Sequence, residues 1–116
     1  MTEETRLGQV EITPTAIASI AGQAVLKSYG VVGLSSRSGR RLVSLSRDNI
    51  KKGVEISIID DGIVIDLYVV IEYGTRVSTV AHNIMQNVKF SVEKALGVPI
   101  TQVNVYVQGL RVSNPQ

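Results

Sequence analysis

One histidine, His82, and scattered carboxylates and serines are the groups in this 116-residue chain with which catalysis could be attempted, and there is no cysteine. The missing thiols exclude disulfides, thiolate nucleophiles and cysteine-based metal sites. A histidine acts as a base only when a nucleophile or carboxylate converges on it. At helical spacing His82 falls about 160° from the apolar stripe around it, on a face shared with Gln86, Lys89 and Glu93, where solvent is the expected neighbour. Asp66 and Glu72 share one strand face, but six residues at ~3.3 Å put them roughly 20 Å apart. Carboxylate pairs that cleave glycosidic bonds stand roughly 5 to 9.5 Å apart. Asp60 and Asp61 are closer but belong to a turn, where Asp is favoured for its backbone bonding. The serines have no histidine in the same neighbourhood and no strand-turn-helix elbow, and the Asp/Asn/Gly spacing of a calcium loop is missing. The reading is therefore a non-enzyme with no catalytic residue, no metal ligand and no cofactor.

Binding is the better prospect. Arg37, Arg40, Arg41, Arg47, Lys51 and Lys52 are half of the twelve basic residues and face one acid, Asp48. Six cations could neutralise several phosphates, so residues 37–52 form a candidate anion-binding loop for RNA, acidic lipid or an acidic partner. The stretch has no aromatic side chain on which a base could stack, and a solvated loop is the plainer reading. Gly30-Val31-Val32-Gly33 matches the nucleic-acid clamp GxxG in letters, but it leaves a helix for an apolar segment and encloses no basic residue, which suits a helix cap and strand entry. The second candidate is apolar. Phe90 sits about 120° off its helical stripe, next to polar neighbours, and Tyr68, Val70 and Tyr106 lie on a strand face too greasy for ordinary wet surface. These four residues are a candidate protein interface, unless another segment of the chain covers them.

These residues are positioned by a simple alternation of elements. From Ile63 to Tyr73 the odd positions are all apolar or aromatic and the even ones mixed, the pattern of a strand with a core side and an outer side. After Gly74, residues Val77, Val80, Ala81, Ile84, Val88, Ser91, Val92 and Ala95 repeat at helical spacing, with Gly97 and Pro99 as stops. Val54–Ile59 and Ile63–Tyr73 flank Asp61-Gly62, a hairpin signal. The register it suggests sets Ile58 opposite Ile65, Ile56 opposite Leu67 and Val54 opposite Val69. Upstream, Gln9–Ile12 reads as a short strand. Thr13-Pro14 opens a first helix through Ile17, Ile20, Ala21, Ala24, Val25 and Ser28, closed by Gly30. Val31–Leu34 is apolar and extended, and Leu42, Val43 and Leu45 suggest another short strand. Val103, Val105 and Val107 alternate with polar residues in a last strand, and a helix between two strands returns it parallel to the first. The predicted fold is a two-layer α+β sandwich, one mixed sheet of four to five strands with two helices packed on one face.

Length allows one domain, expected over residues 8–112 between a disordered lead at 1–7 and a tail at 113–116. A hydrophobic fraction of 44% suits a folded core, and a net charge of +2 argues against a strong whole-molecule attraction to nucleic acid or anionic membrane. The first ten residues show no signal peptide and no stretch is long enough to span a bilayer, so no direct transmembrane segment is expected.

In order along the chain, VEITPTAIASIAGQAV, GVVGLS, KGVEISI, IDLYVVIEYG, VAHNIMQNVKFSVEKALG and VNVYVQGLRV resemble the segments of the bacterial alkaline-shock/general-stress (envelope stress response) protein family. The resemblance covers roughly residues 8–112. It implies a small cytoplasmic protein without catalytic residues, membrane-proximal through a membrane-anchored partner, and a homo-oligomer. Two readings follow: a protein-interaction or scaffold module, or RNA or acidic-lipid binding through residues 37–52.

Overall fold

The structure, a computed structural model, describes residues 2–4, 6–36, 53–60 and 62–112. Its organising element is β5 (Gly62–Glu72), flanked along the chain by β4 (Val54–Ile59) and α2 (Val77–Leu96). Strand β6 (Gln102–Arg111) runs parallel along one edge of β5, as a strand-helix-strand unit requires. The other edge is shared: β4 covers Gly62–Leu67 and β3 (Val31–Leu34) covers Val69–Ile71, both antiparallel. The four strands form the mixed sheet read from the sequence. Helix α1 (Pro14–Leu26) packs over β3 and β4, α2 over β6, and the helices pack on each other.

Local signals explain the helix ends. The Thr13 hydroxyl accepts from Ala16 N–H at 3.2 Å, and Pro14 takes the first helical position, where a missing N–H costs nothing. The helix closes at Leu26 rather than running to Gly30, because Ser28 turns its hydroxyl back onto the Ala24 carbonyl at 3.0 Å. Gly30 (φ +86°) leads into β3, and a Cβ there would press into the Val80 side chain. The pair Gly30 to Gly33 is thus a turn and a strand entry rather than a clamp between helices. Helix α2 ends at Gly97 in the left-handed conformation, its N–H donating to the Glu93 carbonyl at 2.8 Å.

The core is the inner face of the sheet against both helices. Ile63, Ile65, Leu67, Val69 and Ile71 are fully buried there, together with Ile17, Val25, Ile84, Val88 and Val92. Val80, Ile84, Val88 and Val92 recur every fourth residue, and each contributes about 1.5–3 kcal/mol by leaving water.

Three expectations are corrected. The hairpin register is shifted by two residues, with Ile58 opposite Ile63, Ile56 opposite Ile65 and Val54 opposite Leu67. An even shift leaves every side chain on its expected face. The ladder closes on Ile59 and Gly62 because Asp60 (φ +47°) enters the left-handed region that Asp tolerates. Gly62 is needed for a different reason, since a Cβ there would collide with the Thr101 hydroxyl. Second, Thr2–Glu4, inside the expected disordered lead, is a strand (β1) paired with β2 (Gln9–Glu11), so the backbone groups of β2 find partners that the body of the sheet does not provide. Third, Tyr73 follows the apolar alternation but is exposed, because β5 ends at Glu72. The short strand expected around Leu42–Leu45 lies outside the described residues.

Candidate interaction surface

The outer face of the sheet carries the even residues of β5, and β4 and β6 place polar partners beside them. Glu55 opposes Asp66, Ser57 opposes Val64, Asn104 adjoins Asp66 and Tyr106 adjoins Tyr68. Two connected groups result. Tyr68 donates its hydroxyl to Glu55 Oε1 at 3.1 Å and stacks on Tyr106, with ring centroids 5.1 Å apart and an interplanar angle of 15°. Asn104 donates to Asp66 Oδ1 at 2.8 Å while accepting from Gln102 Nε2 at 2.7 Å. The bonds hold both tyrosine rings and the amides in one orientation, so a partner meeting this face has little side-chain entropy left to remove.

The four candidate interface residues are not one surface. Tyr68 and Val70 are 7% and 6% exposed, whereas Tyr106 is 46% exposed. Tyr68 therefore supports the stack and Tyr106 presents it. Phe90 is 66% exposed, on the helical layer across the sheet, with the Lys94 ammonium 5.7 Å from its ring centroid. That spacing is a cation–π contact of the exposed kind. Sheet face and Phe90 could each dock something, but not the same flat partner.

The candidate anion-binding residues Arg37, Arg40, Arg41, Arg47, Lys51 and Lys52 lie outside the described residues. The flanks on either side of them are fixed. Ser35 N–H donates to the Tyr68 carbonyl at 2.8 Å. Gly53 returns so near that a Cβ on it would come 2.6 Å from Leu34 Cβ. Strands β3 and β4 are thus two halves of one edge, interrupted beside Tyr68.

Nothing described supports catalysis. His82 is exposed and its Nδ1 lies 2.9 Å from the carbonyl oxygen of Ser78. Asp66 is bonded by Asn104, far along the strand from Glu72. Among the described residues no group of three metal-ligating side chains gathers. Tyr29, Tyr73, Leu110 and Val112 are exposed apolar residues that sequence reasoning missed as a group. Their backbones meet at one end of the sheet, where Glu72 N–H donates to the Gly30 carbonyl and Tyr73 N–H to that of Arg111. No local signal could have joined them, because the two contacts span about 40 residues each.

No described helix is long and apolar enough to cross a membrane. No solved structure matches the chain. Among curated proteins, the uncharacterized protein YloU of Bacillus subtilis (strain 168) is 39% identical over 114 residues, covering 96% of this chain and 95% of its own. The uncharacterized protein Spy1614 of Streptococcus pyogenes serotype M6 is 38% identical over 111 residues, covering 93% and 92%. The uncharacterized protein YqhY of Bacillus subtilis is 32% identical over 110 residues, covering 94% and 82%. Residues 2–112 match the family model of the alkaline-shock proteins, described by a cell envelope-related function, in agreement with the resemblance read from the six segments, and the chain belongs to that alkaline-shock protein family.

Proposed function

We propose that this chain is a non-enzymatic interaction or scaffold module of the cell envelope, cytoplasmic and membrane-proximal, acting by self-association and by docking to a membrane-anchored partner. The observation that carries the reading is the outer sheet face. Its aromatic pair is half presented and half buried, locked by Glu55, and surrounded by amides that are already bonded. Such a surface is preorganised for contact and holds no reactive group. Membership in a cell envelope-related family supplies the setting.

The test is fractionation of the native protein with and without membranes, beside Tyr106→Ala and Phe90→Asp variants, followed by measurement of mass against concentration. Co-sedimentation with membranes that either variant abolishes, together with a mass that grows with concentration, is the expected result. A protein that stays monomeric and in the supernatant, with both variants indistinguishable from it, overturns the reading. Salt-dependent retention on RNA or on protein-free anionic vesicles, lost when Arg40 and Arg41 are neutralised, would instead favour the anion-binding alternative.

A further inference from the structure

The two edges of the sheet are unlike each other. The β3–β4 edge is broken beside Tyr68 and carries Glu55. Strand β6 is ten residues long, and no charge or proline occurs in it before Arg111. Among the described residues no strand pairs with its far side. Natural edges are ordinarily blunted by lysine, proline or shortness, and Gln102–Val107 has none of these.

The ladder shows which groups face outward. Tyr68 turns its carbonyl to Ser35 N–H and Glu72 its N–H to the Gly30 carbonyl, so the even residues of β5 face β3 and β4 and the odd ones face β6. In a parallel pair the residue opposite a bonded one turns its own groups away. Gln102, Asn104 and Tyr106 therefore bond β5, and Val103, Val105 and Val107, opposite Ile65, Leu67 and Val69, turn theirs to the open edge. We propose that this edge joins β6 of a second copy, antiparallel, about a two-fold axis at Val105, so that two sheets become one. This contact rests on the self-association reading above and gives it a location.

Several features select a second copy as occupant. About Val105, Asn104 falls opposite the partner's Tyr106 and Tyr106 opposite the partner's Asn104, while the outward backbone groups of Val103, Val105 and Val107 meet those of the partner's Val107, the partner's Val105 and the partner's Val103, giving about six backbone hydrogen bonds. Val105 meets the partner's Val105, and Val103 meets the partner's Val107. Each face thus pairs with its own kind, valines on the core side and amides with tyrosine on the other. No charge opposes a like charge across Gln102–Val107. Beside Val103 a groove opens between α2 and the strand, lined by Met85, Gln86, Lys89, Thr101, Gln102 and Val103. The partner's Val107, 37% exposed in the single chain, is the side chain this register delivers to it.

The absence of cysteine makes the test clean. Paired residues of this type stand ~5.5 Å apart at Cα, within the range of about 4.4–6.8 Å that a disulfide spans. Under mild oxidation Val105→Cys is expected to form covalent dimers well ahead of Ile59→Cys, an exposed control on β4. In sedimentation, Val107→Lys is expected to weaken the wild-type dimer by about tenfold or more, since each copy brings an ammonium to a groove already lined by Lys89. Val105→Pro removes an outward N–H and spares the bonds to β5, so it is expected to weaken the dimer while the circular dichroism stays native. If the wild type dimerises but Val105→Cys cross-links no faster than the control and Val107→Lys changes nothing, the edge is wrong and self-association lies elsewhere. If the wild type remains monomeric up to about 1 mM, edge and self-association reading fall together.

Discussion

Leu67 and Tyr68 are neighbours in β5, yet they are held in two different ways by the same strand. Leu67 faces the helices and is fully buried among Ile65, Val69, Ile84 and Val88. Tyr68 faces away, is nearly as buried, and reaches that state through a hydrogen bond to Glu55 and a ring stacked on Tyr106. The first side is held by nondirectional burial, which tolerates any well-fitting apolar neighbour. The second depends on directed polar and aromatic contacts, each of which fixes a side chain. One face therefore carries stability and the other carries a defined surface.

That contrast can be broken by substitution. Leu67→Ala empties a fully buried site and is expected to cost about 2–5 kcal/mol, read as a lower urea midpoint with an unchanged slope. A loss under about 1 kcal/mol would mean the inner face is loosely packed. Gly62→Ala forces the hairpin against Thr101, with an expected cost of about 1–3 kcal/mol. Adding Thr101→Ala should recover part of it in a double-mutant cycle, and strict additivity would show that the two positions do not touch. Thr13→Ala, at the start of α1, is expected to cost about 1 kcal/mol, read from the melting temperature. Tyr68→Phe keeps the ring and removes the hydroxyl that donates to Glu55, for about 0.5–1.5 kcal/mol. Phe90→Ser, far from both faces of β5 and mostly exposed, should change stability by less than about 0.5 kcal/mol. A larger loss there would show that the ring packs on the helical layer rather than standing free for a partner.

Much of the architecture was legible in the residues because periodicity encodes it directly. The alternation along Ile63–Ile71 and the fourfold spacing of Val80, Ile84, Val88 and Val92 each state which side is buried, and the chain follows both. Thr13-Pro14 and Gly97 marked helix ends for local reasons that tertiary contacts had no cause to override. The hairpin was harder. Asp60 and Gly62 can each accept a turn's unusual backbone angles, so residue type left more than one register open. The ladder closes with Asp60 in the left-handed region, and Gly62 instead leaves room for Thr101, 39 residues beyond it.

The candidate surface was less legible still. Tyr68, Val70 and Tyr106 could be assigned to one face, but their very different exposures depend on what the neighbouring strands bring alongside. Nothing in the local sequence connects Glu55 to Tyr68 or Asn104 to Asp66, since these partners are 13 and 38 residues apart. Likewise, the alternation that included Tyr73 in the inner face could not reveal that β5 ends one residue earlier.

By itself the sequence determined which faces are apolar, where most elements begin and end, and that no thiol is on offer. Those properties reside in side-chain type and spacing along a single element. Register, the exposure of each tyrosine and the open flank of β6 were decided only by the tertiary structure, because each depends on which distant backbone arrives beside a given residue.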